Sequence, residues 1–191
     1  EMKHGDMTET QVASETMFEG KLLRVKRDAV RLHDGKPATR EYVEHNGAVM
    51  IIPVLDSGDL VMERQYRYVL RRHCLEFPAG KIDPGEEPLG TARRELLEET
   101  GYVAREWTYL ATIHPTVAYS TERILVYLAR GLEHRGSNLD DGEFLEVLTL
   151  PLAALLERVH IGEITDVKTV IGVFWLEKLL RGAWVAGSAL P

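Results

Sequence analysis

Apolar and polar positions change their period several times along the chain, and those changes predict its elements. From Phe18 the pattern alternates through Leu23, Val25, Ala29, Val30 and Leu32, as in a half-buried strand, and stops at Asp34-Gly35, a hairpin signal. Arg40–His45 resumes extended structure. Ala48-Val49-Met50-Ile51-Ile52-Pro53-Val54 is continuously apolar, which predicts a strand covered on both faces. Asp56-Ser57-Gly58-Asp59 reads as a turn, with Leu60–Arg67 returning as the partner of the strand before it. Trp107–Ile113, Ile124–Ala129 and Phe144–Leu150 read as further strands. The long segment His114–Arg123 between the first two calls for a functional reason. Pro151 opens a helix with Leu152, Leu155, Leu156 and Val159 on one face. Thr165 or Asp166 caps a last helix that runs to about Leu180, before Gly182. Residues 1–16 show no apolar period and are expected to be a flexible segment. Residues 17–46 then form an N-terminal β-strand section, and 47–191 the main domain.

Composition narrows the function classes. With 191 residues, 45% apolar and 28% charged, the chain suits one α/β domain with a modest addition. Its net charge of −7 argues against a broad nucleic-acid footprint. The single cysteine, Cys74, excludes a disulfide framework and a cysteine zinc site. No apolar run reaches the ~20 residues of a membrane span, and the opening residues show no signal-peptide pattern. A cytoplasmic location without membrane partners is the expectation.

One stretch, Gly80–Tyr102, breaks a local rule. Asp83-Pro84-Gly85-Glu86 has the order of a type II turn, Pro88 suits a first helical turn, and Gly101 suits a left-handed C-cap. Between them Glu95, Glu98 and Glu99 fall at i, i+3 and i+4, so three carboxylates share one helix face. Each like-charge pair costs about 0.2–0.5 kcal/mol. A solvated face with Arg93 and Arg94 as counter-charges would explain such a string by itself. A divalent cation would relieve it too, since Mg²⁺ is held by a few carboxylates, waters and substrate phosphates.

The full spacing decides between these. Gly80, five residues, Glu86, seven residues, then Arg94-Glu95-Leu96-x-Glu98-Glu99-x-Gly101 and a hydrophobic residue resembles the Nudix box at every fixed position. The resemblance implies a Nudix-like α/β/α sandwich with a mixed β-sheet and an N-terminal β extension. It also implies hydrolysis of a nucleoside diphosphate linked to another group, by water attacking phosphorus with Mg²⁺, or Mn²⁺ in its place. In similar enzymes the metal ligands correspond to Glu95, Glu98, Glu99 and the carbonyl of Ala79, with Arg94 orienting the carboxylates and Glu86 supporting the site.

Outside the box the likeness runs roughly from Arg40 to Lys178 and is to the ADP-ribose pyrophosphatase branch. Gln65-Tyr66-Arg67, Leu75-Glu76-Phe77-Pro78-Ala79-Gly80 and Asp141-Gly142-Glu143-Phe144-Leu145-Glu146-Val147 carry it. It implies Glu143 as the general base, Arg67 on the diphosphate, and Arg40 and Glu41 at the adenosine end, often across a dimer interface. Arg40 and Glu41 read equally well as an exposed strand pair. One departure concerns the loop after the box: Pro115 is followed by Thr116-Val117-Ala118 where the branch has glycine, although Ser120 and Glu122 remain and Glu122 suits the terminal ribose. The expected substrate is ADP-ribose, split to AMP and ribose 5-phosphate by a homodimer. GDP-mannose or other ADP-sugars are the alternative, followed by a non-catalytic ADP-ribose sensor.

Overall fold

The computed structural model describes residues 6–136 and 144–185. They form ten strands and three α-helices, divided into two compact units: residues 6–46 with 116–122, and residues 47–115 with 123–136 and 144–185.

The N-terminal unit is an antiparallel sheet of β1 (Thr10–Glu19), β2 (Arg24–Arg31) and β3 (Pro37–Glu44), in that order. Strand β1 replaces the expected flexible segment over residues 10–16; residues 1–5 of that segment lie outside the described residues. It pairs with β2 from Thr10↔Arg31 to Glu19↔Arg24. All ten of its residues are exposed, so no apolar period announces it; backbone pairing with β2 holds it, with side-chain bonds such as Gln11 Nε2 to Asp28 Oδ2 at 2.9 Å and Lys26 Nζ to Thr16 Oγ1 at 3.0 Å. The β2–β3 hairpin turns at Gly35, whose φ of 85° lies in the left-handed region the turn needs. The loop 116–122 also departs from its expected place in the 47–191 domain. Val43 N–H donates to Tyr119 O at 2.9 Å and Thr121 N–H to Val43 O at 3.0 Å, which fastens the loop to β3.

The second unit is layered around β4 (Ala48–Pro53). This strand lies between β9 (Ile124–His134), which is parallel to it, and β7 (Ala79–Lys81); β8 (Tyr102–Ile113) completes the mixed sheet β7-β4-β9-β8. Alternation along β4 explains the two covering layers. Val49 and Ile51 enter one core with Ala92 and Leu96 of α1 (Pro88–Thr100). Met50 and Ile52 enter another with Leu155 of α2 (Leu152–His160) and Val173 and Leu176 of α3 (Val167–Leu180). This is the expected α/β/α sandwich with a mixed sheet. No described helix is long and apolar enough to cross a membrane.

The pairing expected across Asp56–Asp59 is different. Beyond a single bridge, Val54↔Leu60, β5 (Leu60–Arg67) leaves β4 and joins a second sheet, β10-β5-β6, with β6 (Arg72–Glu76) and β10 (Leu145–Leu150). The turn forms, with Gly58 at φ 89°, but both edges of β4 are already taken by β7 and β9. A turn signal encodes a reversal of direction and not a partner.

Candidate active site

Helix α1 forms where its ends dictate. Pro88 stands at its first turn, and Gly101, at φ 75°, closes it with N–H donating to Leu97 O. Ahead of it Glu86 N–H closes the turn on Asp83 O at 3.0 Å, with Gly85 at φ 84°. Ala92 and Leu96 bury one face against the sheet. That packing turns Glu99 inward, while Glu95 and Glu98 stay at the rim, with side chains 14% and 31% exposed.

Arg94 organises the rim. Its Nη1 donates to Glu95 Oε1 and Glu98 Oε2, both at 2.9 Å, while Nε and Nη2 fork onto the Glu86 carboxylate at 3.0 Å each. The fork holds the Glu86 carboxyl at about 2, well below the usual carboxylate range. Gly80 explains the other end of the motif. A Cβ built there would lie 1.9 Å from Glu95 Cδ and Oε1, so only a glycine lets the β7 backbone pass the Glu95 carboxylate.

Glu99 is buried, and its Oε2 accepts from Ala79 N–H at 3.1 Å. Burial, then the charges of Glu63 and Glu95, push its carboxyl well above the usual range. Glu63, on β5, lies within hydrogen-bond reach of Glu99, and its carboxyl is also raised by burial. Opposite Glu63 in register stands Glu76, also buried. Burial would raise Glu76 too, but Arg67 and Lys168 outweigh it and hold it at about 2. Arg67 forks onto Glu76 with Nε and Nη2, each at 2.7 Å, and Lys168 donates to both Glu76 and Asp166. Asp166 caps α3 by accepting from Thr169 N–H at 3.0 Å. Thr169 Oγ1 in turn accepts from Phe77 N–H at 3.1 Å, tying the α3 terminus to the strand end beside the site.

Glu95, Glu98, Glu99, Ala79 and Arg94 are therefore brought together, and Arg67 is engaged on Glu76. Arg40, Glu41 and Glu122 belong to the N-terminal unit and have partners inside it. Arg40 pairs with Glu9, Glu41 accepts from Arg27 at 2.9 Å, and Glu122 stands 4.0 Å from His45. Glu143 lies outside the described residues. Glu63, Glu76 and Lys168 were missed by sequence reasoning. The available signal was Glu63 itself, an acid at the end of the apolar run Leu60-Val61-Met62.

The acid surplus suits a divalent cation. Among the described residues no three His, Cys, Asp or Glu side chains already converge as a ligand set; Arg94 draws Glu95 and Glu98 to itself instead. Glu99 and Glu63, however, share a buried region in which Arg67 and Lys168 are both spent on Glu76, and among the described residues Glu63 Oε1 has no hydrogen-bond partner. Hard carboxylate oxygens with unmet charge are the donor set that Mg²⁺ takes.

Comparison with known proteins shows the family. The NUDIX domain model matches residues 44–166, and a nucleoside diphosphate sugar hydrolase N-terminal domain model matches 9–43. The chain is 38% identical to an ADP-ribose pyrophosphatase of Bacillus subtilis, over 90% of this chain and 94% of that one. It is 37% identical to an ADP-ribose pyrophosphatase of Mycobacterium tuberculosis, over 90% and 84%. The crystal structure of an ADP compounds hydrolase superposes with a TM-score of 0.82 at 26% identity, covering 94% of this chain and 98% of that one.

Proposed function

The chain belongs to the Nudix family and is a diphosphatase of nucleotide sugars, and from that premise we propose that it hydrolyses ADP-ribose to AMP and ribose 5-phosphate with Mg²⁺. The observation that supports this reading most is the one face of α1 that carries Glu95, Glu98 and Glu99, the last buried against Ala79 N–H. These carboxylates, with the Ala79 carbonyl, would hold the cation, Mn²⁺ serving as a substitute. Bound there, it would act as a Lewis acid on the diphosphate oxygens and favour ionisation of the attacking water.

The residues of the chain do the positioning. Arg94 sets the directions of Glu95 and Glu98 and ties them to the Glu86 turn, so the acidic face keeps its shape against its own repulsion. The Arg67–Glu76–Lys168 cluster anchors the strand end that leads through Phe77 to Ala79. The proton of the attacking water needs an acceptor, the role that the resemblance assigns to Glu143.

A substrate panel at fixed Mg²⁺ tests the substrate. ADP-ribose is expected to be turned over with the highest kcat/KM and to release AMP. Equal or faster turnover of GDP-mannose would overturn the specific reading and keep the family.

We also place the working form as a homodimer. Val12, Phe18, Leu22 and Leu23 of the N-terminal unit are all exposed, at 60%, 56%, 66% and 44%, which is apolar surface a second copy would cover. Sedimentation is expected to give a dimer at micromolar concentration, and a monomer there would refute it.

A further inference from the structure

Glu63 has no explanation in the motif that defines the site. It ends a four-residue run, Leu60-Val61-Met62-Glu63, in which every residue is buried, and it is itself 1% exposed. An apolar residue would satisfy that position better, because taking a carboxylate out of water costs several kcal/mol unless it is paired. Among the described residues no cation forms an ion pair with Glu63. Its neighbour across the strand ladder is another acid, Glu76, and like charges directly opposite each other are unfavourable. The cations nearby are committed elsewhere, Arg67 by two hydrogen bonds of 2.7 Å to Glu76, and Lys168 to Glu76 and Asp166.

Among the described residues two buried side-chain oxygens have no hydrogen-bond partner, Asp28 Oδ1 and Glu63 Oε1. They differ in kind. Asp28 accepts from Gln11 Nε2 at 2.9 Å and from Tyr42 OH at 3.2 Å through its other oxygen, so its charge has donors. Glu63 has Glu99, a second acid, within hydrogen-bond reach. A proton shared between the two would satisfy one oxygen and leave Oε1 bare. A cation at Glu99 would answer both oxygens at once and remove the repulsion between the two groups.

Resting on the metal-dependent reading above, we propose that Glu63 is a fourth carboxylate of the divalent-cation site, a ligand beside Glu99 at the buried end of the acidic face. The strand supplies what helix α1 cannot, an acid approaching Glu99 from outside the motif. Stability is given up at Glu63 in the metal-free protein and recovered when the cation binds.

The test uses the full chain stripped of metal, with Glu63→Gln, Glu63→Met and, in parallel, Glu99→Gln. Two quantities are read: the thermal midpoint in chelator, and Mn²⁺ affinity from the spin-resonance signal of the free ion. Both Glu63 variants are expected to melt at or above the parent without metal and to bind Mn²⁺ at least tenfold more weakly. Mn²⁺ affinity within threefold of the parent in both would overturn the proposal, and so would a lowered metal-free midpoint in both, which would make Glu63 a structural partner of Glu99. Glu99→Gln separates this from the wider reading. If it too leaves Mn²⁺ affinity unchanged, the assignment of the metal to this face fails, and not merely the role of Glu63.

Discussion

Glu99→Gln is expected to lower the turnover of ADP-ribose by about a thousandfold or more while leaving the protein folded. The size follows from what the carboxylate is asked to hold: Lewis-acid stabilisation is worth several kcal/mol, and each ~1.4 kcal/mol is tenfold in rate. The preserved fold follows from the surroundings. Gln has the volume of Glu, its carbonyl oxygen can still accept from Ala79 N–H, and its amide can donate toward Glu63. Removing one of two adjacent buried acids relieves repulsion, so the metal-free melting temperature should hold or rise. A steady-state assay with a melting curve on the same sample checks both halves. Turnover within tenfold of the parent would remove Glu99 from the metal site.

Gly80→Ala is expected to be nearly as damaging to activity and nearly silent in stability. The added methyl would sit 1.9 Å from the Glu95 carboxylate carbon and 2.5 Å from its Cγ, a separation at which something must move. What gives way is the end of a flexible side chain and not the backbone, so Glu95 swings off the acidic face and the strand stays. Displacement of a catalytic group by about 1 Å costs about a hundredfold in rate. A loss of a hundredfold or more in kcat/KM is therefore expected, with a melting temperature close to the parent's. A variant that kept its activity would show that Glu95 need not stand where Gly80 allows it.

How much of this was legible in the sequence depends on whether the cause was local. Helix α1 was readable end to end because Pro88 and Gly101 act on their own φ angles, and the shared face of Glu95, Glu98 and Glu99 follows from helical period alone. The double-sided burial of β4 was readable for the same reason. Strand β1 was not, because its ten exposed residues carry no pattern and its partner is another segment's backbone. The partner of β5 was not, because the Gly58 turn states that the chain reverses and is silent on which sheet receives it. The Glu63–Glu99 contact and the Lys168–Glu76 pair join positions far apart in the chain, the latter 92 residues apart, and no local pattern names the partner of either.

In the proposed reaction this acidic face, loaded with a divalent cation, directs water onto the diphosphate. The most direct measurement incubates ADP-ribose with the protein in ¹⁸O-water, with Mg²⁺ or with chelator, and resolves the products by mass. AMP and ribose 5-phosphate are expected to carry one ¹⁸O between them, with Mg²⁺ alone and not in Glu99→Gln. The same products formed undiminished in chelator, or by Glu99→Gln, would contradict that proposal.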